Sequence, residues 1–203
     1  LAPLPLESSF LYGLKEGDSL PKTSDIRAKR TKQDLREAMF TLLKTNDFED
    51  ITINDLCASA AISRTTFYIH YQDKYDLTAD SIYQLVTPLN EYLYKAELET
   101  FFRRMLTVVQ ENHIVIKRLC KINGTMEIKH KVDTLFAQGF IEYYQLQESQ
   151  GVDYGVPVEV LAVYNCTGTM NLILWWHASG YRISIDDMVN YLLSTNPPYS
   201  TQA

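Results

Sequence analysis

The chain has 203 residues, of which 46% are hydrophobic and 22% charged, a balance that permits a hydrophobic core of ordinary size. Its net charge of −6 argues against a protein that coats nucleic acid over its whole surface, although residues 22–74 are less acidic than the rest. No stretch is apolar enough to span a membrane, and residues 1–6 lack the basic flank of a secretory signal. The three cysteines lie far apart and indicate neither a disulfide framework nor a zinc site, so we expect a reducing, cytoplasmic setting.

Helical periodicity dominates the chain after its first segment. Residues 1–21 contain three prolines and two glycines without sustained periodicity, so we expect a flexible N-terminal arm there. From residue 24 onward apolar residues recur at helical spacing, and no run alternates as a half-buried strand would. We therefore predict an all-α protein, with a three-helix helix-turn-helix domain at 22–86 and a C-terminal helical regulatory and dimerisation domain at 87–203.

Three helices are predicted in the first domain. The first spans about 24–46 and carries one apolar stripe. Thr52 is placed to cap a short second helix, with Asp55 three residues on as its reciprocal partner, and Ser63 to cap a short third. Short helices are marginal alone, so both must pack on the first. The connection from Ala60 to Ser63 has the length that a DNA-reading helix-turn-helix uses.

A series of residues at fixed spacing connects this domain with a known family. In chain order they are Thr52, Ala60-Ala61, Ser63, Phe67-Tyr68, His70-Tyr71 and Lys74, within the segment ITINDLCASAAISRTTFYIHYQDKYDL. This segment, residues 51–77, resembles the DNA-binding domain of the TetR family of bacterial regulators, and the resemblance extends over about 24–86. It implies a homodimer that binds a near-palindromic operator in double-stranded DNA and regulates transcription, as a repressor in the favoured interpretation.

The third helix, Arg64 to Tyr71, is the predicted recognition helix. Such a helix buries one side against its own domain, here through Phe67 and Tyr71, and offers polar side chains on another. Arg64 suits guanine, and Thr65 suits a base edge or a thymine methyl group. Tyr68, His70 and Lys74 are better placed for phosphates. The predicted DNA-binding residues are Thr52, Ser63, Arg64, Thr65, Thr66, Tyr68, His70 and Lys74.

Several of these assignments have structural alternatives. Thr52 and Ser63 would cap their helices without DNA. Tyr68 could belong to the core, and His70 could be an ordinary surface or core histidine. The basic cluster between Arg27 and Arg36 is expected to combine one or two phosphate contacts with solvated charges.

Five further elements are predicted beyond the fourth helix, which starts at Lys74 and continues past Pro88. The helix opened by Pro157 is apolar almost all round, so we expect it to be covered on more than one side. Ser184 is the expected cap of the last helix, with Asp187 three residues on. The predicted elements are an amphipathic helix from about 101 to 112, a short piece at 114–122 closed by Asn123-Gly124, and helices at 126–148, 157–179 and 185 onward.

The two closing helices carry enough apolar surface to suggest a four-helix interface with a second copy. The TetR resemblance implies the same, because that family dimerises through its last two helices, and the tail WWHASGYRISIDDMVNYLL is similar to one subgroup of it. The predicted interface residues are Leu161, Tyr164, Leu172, Met188 and Leu192.

The resemblance also implies a small-molecule effector in the second domain, although some family members bind a protein partner or have no known ligand. Aromatic residues at helical spacing are usually core, and that alternative stays open here. The candidate effector-binding residues are His113, Phe140, Tyr143, Tyr144, Trp175 and Trp176.

No catalytic constellation is apparent. The four histidines, His70, His113, His130 and His177, form no local ligand pair, and no glycine-rich phosphate loop or nucleophile elbow is present. We therefore predict no catalytic residue, no metal and no cofactor, and we disfavour a helical-bundle enzyme. The main alternative to a DNA-binding regulator is a helical adaptor that acts through a protein partner and has little DNA affinity.

Overall fold

A computed structural model describes residues 23–121 and 125–196, without the side chains at 23–24, 125–132 and 135. The predicted arm, the Asn123-Gly124 helix stop and the side chain of His130 lie outside this description. The described part of the chain is all-α, as predicted, and contains no strand. Its helices are α1 (Thr23–Leu43), α2 (Ile53–Ser59), α3 (Arg64–His70), α4 (Lys74–Val86), α5 (Asn90–Tyr94), α6 (Leu98–Glu111), α7 (His113–Leu119), α8 (Thr125–Ser149), α9 (Val158–Ala178) and α10 (Ile185–Thr195).

The three predicted helix caps are confirmed. Thr52 and Asp55 form a complete capping box at α2, in which each side chain accepts a hydrogen bond from the other residue's backbone N–H. Ser63 Oγ accepts from the backbone N–H of Thr66 at 3.1 Å, and Ser184 Oγ accepts from that of Asp187 at 3.1 Å. These caps satisfy amides that have no partner within the helix, which fixes where α2, α3 and α10 begin.

The predicted continuous helix through Pro88 was wrong. α4 ends at Val86, a 3-10 turn occupies Thr87–Leu89, and α5 starts at Asn90. Proline has no backbone N–H, and its ring clashes with the carbonyl of the preceding helical turn, so a proline inside an α-helix kinks or breaks it.

Two hydrophobic cores organise the described residues. The first contains residues of α1, α2, α3 and α4, and Leu35, Met39, Leu56 and Phe67 are fully buried in it. The second joins α5, α6, α8, α9 and α10. It contains a cluster of aromatic rings in contact, Phe101, Phe136, Phe140 and Tyr144.

Helix α7, which the sequence analysis placed within the second domain, packs against the first core. Val115 is buried in the first core. Arg118 Nη1 donates to the carbonyls of Leu43 at 3.0 Å and Asn46 at 2.6 Å, and Arg118 Nε lies 3.4 Å from Asp47 Oδ1. The last carbonyls of a helix lack partners within it, so this guanidinium caps the C-terminal end of α1 and ties it to α7.

The turn between α2 and α3 contains a left-handed alanine. Ala61 has φ +53°, while its N–H donates to the carbonyl of Ala58 and that of Ile62 to Cys57, the two bonds of a Schellman motif. This position favours glycine because a Cβ is strained there by about 1–2 kcal/mol. The strain is the local cost of the tight turn that aims α3 away from α2.

We expect Ala61→Gly to raise the free energy of unfolding by about 0.5–1 kcal/mol, since relief of strain exceeds the greater freedom of glycine in the unfolded chain. Chemical denaturation measures the change. Ala58→Gly, three residues earlier and on an exposed part of α2, is the matched control and should destabilise the protein by about 1 kcal/mol. Equal destabilisation by both variants would contradict strain at Ala61.

Candidate nucleic-acid interface

Helix α3 is held in place through its inner side. Phe67 is fully buried, and Tyr71, the C-cap residue of α3, is nearly so. Tyr71 Oη donates to Asp80 Oδ2 at 2.5 Å, and the same oxygen accepts from Arg36 Nη1 at 3.0 Å. Burial, and then the nearby Asp80, raise the pKa of Tyr71, so its hydroxyl stays protonated as the donor. This network joins the end of α3 to α1 and α4.

The outer side of α3 is open to solvent. Arg64, Thr65, Tyr68 and Ile69 are exposed, with exposed fractions of 50% for Tyr68 and 72% for Ile69. The guanidinium of Arg64 lies over the Tyr68 ring, 6.0 Å from its centroid, and Arg64 Nη2 is 3.4 Å from Tyr68 Oη. Tyr68 is therefore not a core residue, and it supports the side chain predicted to read guanine.

Ile69 is missing from the predicted DNA-binding set. It lies one helical turn after Thr65, so the two share the face opposite Phe67. The sequence did carry a signal for it, namely a large apolar residue placed off the buried stripe of its own helix.

Ser63 and Thr52, both predicted to contact DNA at helix N-termini, have different surroundings. Ser63 Oγ caps α3 and shares a hydrogen bond of 2.8 Å with Thr66 Oγ1, and it stays exposed. The Thr52 hydroxyl is 2.6 Å from Asp55 Oδ2, to which it donates. Hydrogen bonds from Thr52 lower the pKa of Asp55, so an ionised carboxylate stands beside the Thr52 hydroxyl. That charge disfavours a phosphate there, and capping accounts for Thr52.

The structure gives Lys74 a different role from the predicted phosphate contact. Its Nζ donates to the carbonyls of Phe48 at 2.8 Å, Glu49 at 3.1 Å and Ile51 at 3.0 Å. It also lies 4.5 Å from the centroid of the Phe48 ring. An ammonium has three N–H donors, and here each has a carbonyl partner. Lys74 therefore fastens the start of α4 to the loop before α2.

His70 is half-buried at the end of α3. Burial, followed by the charge of Lys32, lowers the pKa of His70, so its ring is mainly uncharged at neutral pH. A neutral imidazole can still donate one N–H to a phosphate but brings no positive charge. The phosphate contact predicted for His70 stays a prediction.

The basic cluster of α1 divides into two groups. Arg36 pairs with Asp80, and Lys32 Nζ lies 5.4 Å from the centroid of the Tyr71 ring, so both support the fold. Arg27, Lys29 and Arg30 are exposed near the start of α1. These three cations are the better candidates for phosphate contacts from this helix.

Three of the five predicted dimer-interface residues were wrong. Leu161, Met188 and Leu192 are buried in the second core of their own chain, so they cannot meet a second copy. Leu172 is half-buried against that core, whereas Tyr164 is 72% exposed. A stripe of apolar residues does not indicate whether the core of the same chain or a second copy will cover it.

The free face of α9 is nevertheless rich in apolar groups. We call it the α9 stripe; it follows the spacing of one helix face and comprises Val160, Val163, Tyr164, Thr167, Gly168, Asn171, Leu174 and Trp175, all exposed. A shallow groove of about 760 Å³ runs along its first half. The opposite face of α9 is buried against the core, so the helix is apolar on both sides, as its sequence predicted.

Four of the six candidate effector-binding residues, Phe140, Tyr143, Tyr144 and Trp176, lie in the second core. Asn165 Nδ2 donates to Tyr144 Oη at 2.7 Å, and Trp176 Nε1 donates to the carbonyl of Ile183 at 2.8 Å. These are contacts of a packed core. They agree with the alternative that the sequence left open, in which the aromatic residues belong to the core.

The other two candidates lie at the surface. His113 is exposed and borders a surface depression of about 300 Å³, and Trp175 belongs to the α9 stripe. No described helix is long and apolar enough to cross a bilayer, and the described residues gather no group of three His, Cys, Asp or Glu suited to a metal.

Comparison with curated proteins finds similarity over part of the chain. No family model matches the chain. An uncharacterised HTH-type transcriptional regulator of Bacillus subtilis, YxbF, is 32% identical over 62 residues. That match covers 30% of this chain and 16% of the length of the Bacillus protein.

Solved structures match over most of the chain. A Syntrophomonas wolfei protein assigned to the TetR family superposes with a TM-score of 0.66 at 15% identity, covering 83% of this chain and 93% of that one. A TetR transcriptional regulator from Streptococcus agalactiae gives 0.58 at 22% identity, with 85% and 97% covered. The dihydroxyacetone kinase operon activator DhaS gives 0.59 at 16% identity, with 82% and 93% covered. The resemblance seen in residues 51–77 is thus confirmed in three dimensions: the chain has the fold of the TetR family of transcriptional regulators.

Proposed function

We propose that this chain is a transcription regulator that binds double-stranded DNA as a homodimer and places α3 of each copy in the major groove. The observation that carries the proposal is the arrangement of α3: its inner side is fixed by Phe67 and its outer side presents Arg64, Thr65 and Tyr68 to solvent. An α-helix fits the major groove, where these side chain types meet base edges and phosphates.

The α9 stripe supports the homodimer. Single exposed apolar residues are ordinary, but a row along one helix is typical of an interface. A two-fold pair would bring the stripe of one copy against the same stripe of the other, because a C2 interface uses one patch twice. Gly168 has no side chain and nothing packs at its Cβ position, which would let the two backbones approach closely.

The sign of regulation and the effector are separate proposals. We infer repression from the sequence resemblance; one structural neighbour is named an operon activator, so the fold accommodates either sign. For a small-molecule effector the best support is Tyr154, whose buried hydroxyl has no hydrogen-bond partner among the described residues. Burial raises the pKa of Tyr154 to about 12, so its hydroxyl stays protonated and would donate to an acceptor on such a ligand.

Selection of bound duplexes from a random DNA pool tests the proposed function. A DNA-binding dimer should enrich one near-palindromic sequence with two half-sites. An adaptor that acts through a protein partner should enrich nothing and should pass through a duplex column at moderate salt. The second outcome would reject DNA binding.

We expect Arg64→Ala to weaken binding to the selected duplex by about 1–3 kcal/mol and to leave binding to random-sequence DNA nearly unchanged. The reason is that a guanidinium reads guanine through two hydrogen bonds, whereas phosphate contacts elsewhere provide the non-specific affinity. Titration of both duplexes at one salt concentration measures the difference. Arg104→Ala, which removes an exposed arginine of α6, is the matched control. Equal losses on both duplexes would reject base reading by Arg64.

A further inference from the structure

Ile69 has no role in the folded chain that explains its side chain. It is 72% exposed, as much as any large hydrophobic residue in the described part of the chain, and it belongs to neither core. Its neighbours Phe67 and Tyr71, by contrast, are buried. A β-branched side chain also favours a helix slightly less than alanine does, so local helix stability does not explain it.

The position of Ile69 on α3 is more informative than its exposure. It lies one turn after Thr65, and together they form the ridge of α3 farthest from Phe67. Arg64 and Tyr68 flank this ridge on one side. A helix lying in a groove presents its outermost ridge to the floor, so Thr65 and Ile69 would meet base edges more directly than their neighbours.

The chemistry of the major groove supplies a partner for such a side chain. The 5-methyl group of thymine is the bulkiest apolar group on the base edges of this groove, and proteins contact it through apolar side chains. We propose that Ile69 is a specificity-determining residue that packs against a thymine 5-methyl group; this inference rests on the proposed function. Helix α3 would then recognise thymine through Ile69 and guanine through Arg64.

Removal of single methyl groups from DNA tests this contact directly. The probe is the duplex selected by the wild-type protein, with each thymidine of the half-site replaced in turn, in both half-sites, by 2′-deoxyuridine. This base pairs as thymine does but lacks the methyl group. Loss of one buried methyl is worth about 0.8 kcal/mol, so at one position or more the wild-type affinity should fall about fourfold per half-site.

Ile69→Ala should lose this sensitivity at the position that Ile69 contacts and keep it at any position read by Thr65. The variant should fold, because alanine is the better helix former and the site is exposed. Ile69→Val keeps a branched apolar end and should retain part of the sensitivity. Ile114→Ala, an exposed isoleucine of α7, is the matched control and should behave as the wild type.

The outcomes separate the two proposals. If the wild type selects a duplex but Ile69→Ala shows the same deoxyuridine profile, or the wild type responds to no methyl group, the role of Ile69 is overturned while DNA binding stands. If the wild type selects no duplex, the proposed function fails and the role of Ile69 fails with it.

Discussion

Tyr164→Glu is expected to leave the chain folded but monomeric and to lower its affinity for the selected duplex at least about 100-fold. Tyr164 is 72% exposed, so glutamate is well solvated at this position in a single copy. In a two-fold dimer the same change places two carboxylates in one apolar interface. An unpaired buried charge costs several kcal/mol, which is enough to separate the copies. Sedimentation equilibrium measures assembly, and titration of the duplex measures binding.

Two control variants isolate the cause. Tyr164→Phe keeps the apolar ring and should remain dimeric. Tyr94→Glu makes the same change at an exposed tyrosine of α5, outside the α9 stripe, and should also remain dimeric. A Tyr164→Glu protein that still dimerises as the wild type does would remove the α9 stripe from the interface. A monomeric variant with undiminished duplex affinity would show that DNA binding needs no dimer.

Lys74→Ala is expected to lower the free energy of unfolding by about 2–3 kcal/mol and to leave the salt dependence of DNA binding unchanged. Hydrogen bonds from a charged donor are the strong ones, and the variant leaves the carbonyls of Phe48, Glu49 and Ile51 without their shared ammonium. The contact with the Phe48 ring is lost as well. Chemical denaturation and the slope of log affinity against log salt give the two readouts.

Lys44→Ala is the matched control, since Lys44 is exposed and a surface substitution of this kind changes stability by less than about 0.5 kcal/mol. Lys74→Met keeps the apolar stem without the charge and should be nearly as unstable as Lys74→Ala. A salt slope reduced by about one would instead indicate a phosphate contact, made by Lys74 leaving its carbonyls when DNA binds. An unchanged free energy of unfolding would contradict the stabilising role of the three carbonyl contacts.

Much of the helix-turn-helix could be predicted because its determinants are local. The caps at Thr52 and Ser63 each accept a hydrogen bond from a backbone amide three residues on, so both partners stand close together in the sequence. The cap of α10 at Ser184 is local in the same way. The buried side of α3 follows from the spacing of Phe67 and Tyr71. Arg64, Thr65 and Tyr68 were predicted on a neighbouring face of the same helix, although a core position was left open for Tyr68.

Contacts between residues distant in sequence were the ones that the sequence did not indicate. Lys74 meets carbonyls more than 20 positions earlier in the chain, and no pattern around Lys74 indicates them. Arg118 likewise reaches back to the end of α1. Such contacts depend on how helices pack, because neither residue has a local partner of the right chemistry.

The apolar pattern of α9 shows most clearly what local sequence determines and what depends on contacts between distant segments. By itself the sequence determined that this helix is apolar on every side and must be covered on more than one. Only the packing of α9 in the second core decided that Leu161 faces inward and Tyr164 outward, and that Met188 and Leu192 of α10 are buried within the chain. Helical periodicity records how apolar each face is, whereas the neighbour that covers a face is set by contacts between segments far apart in the chain.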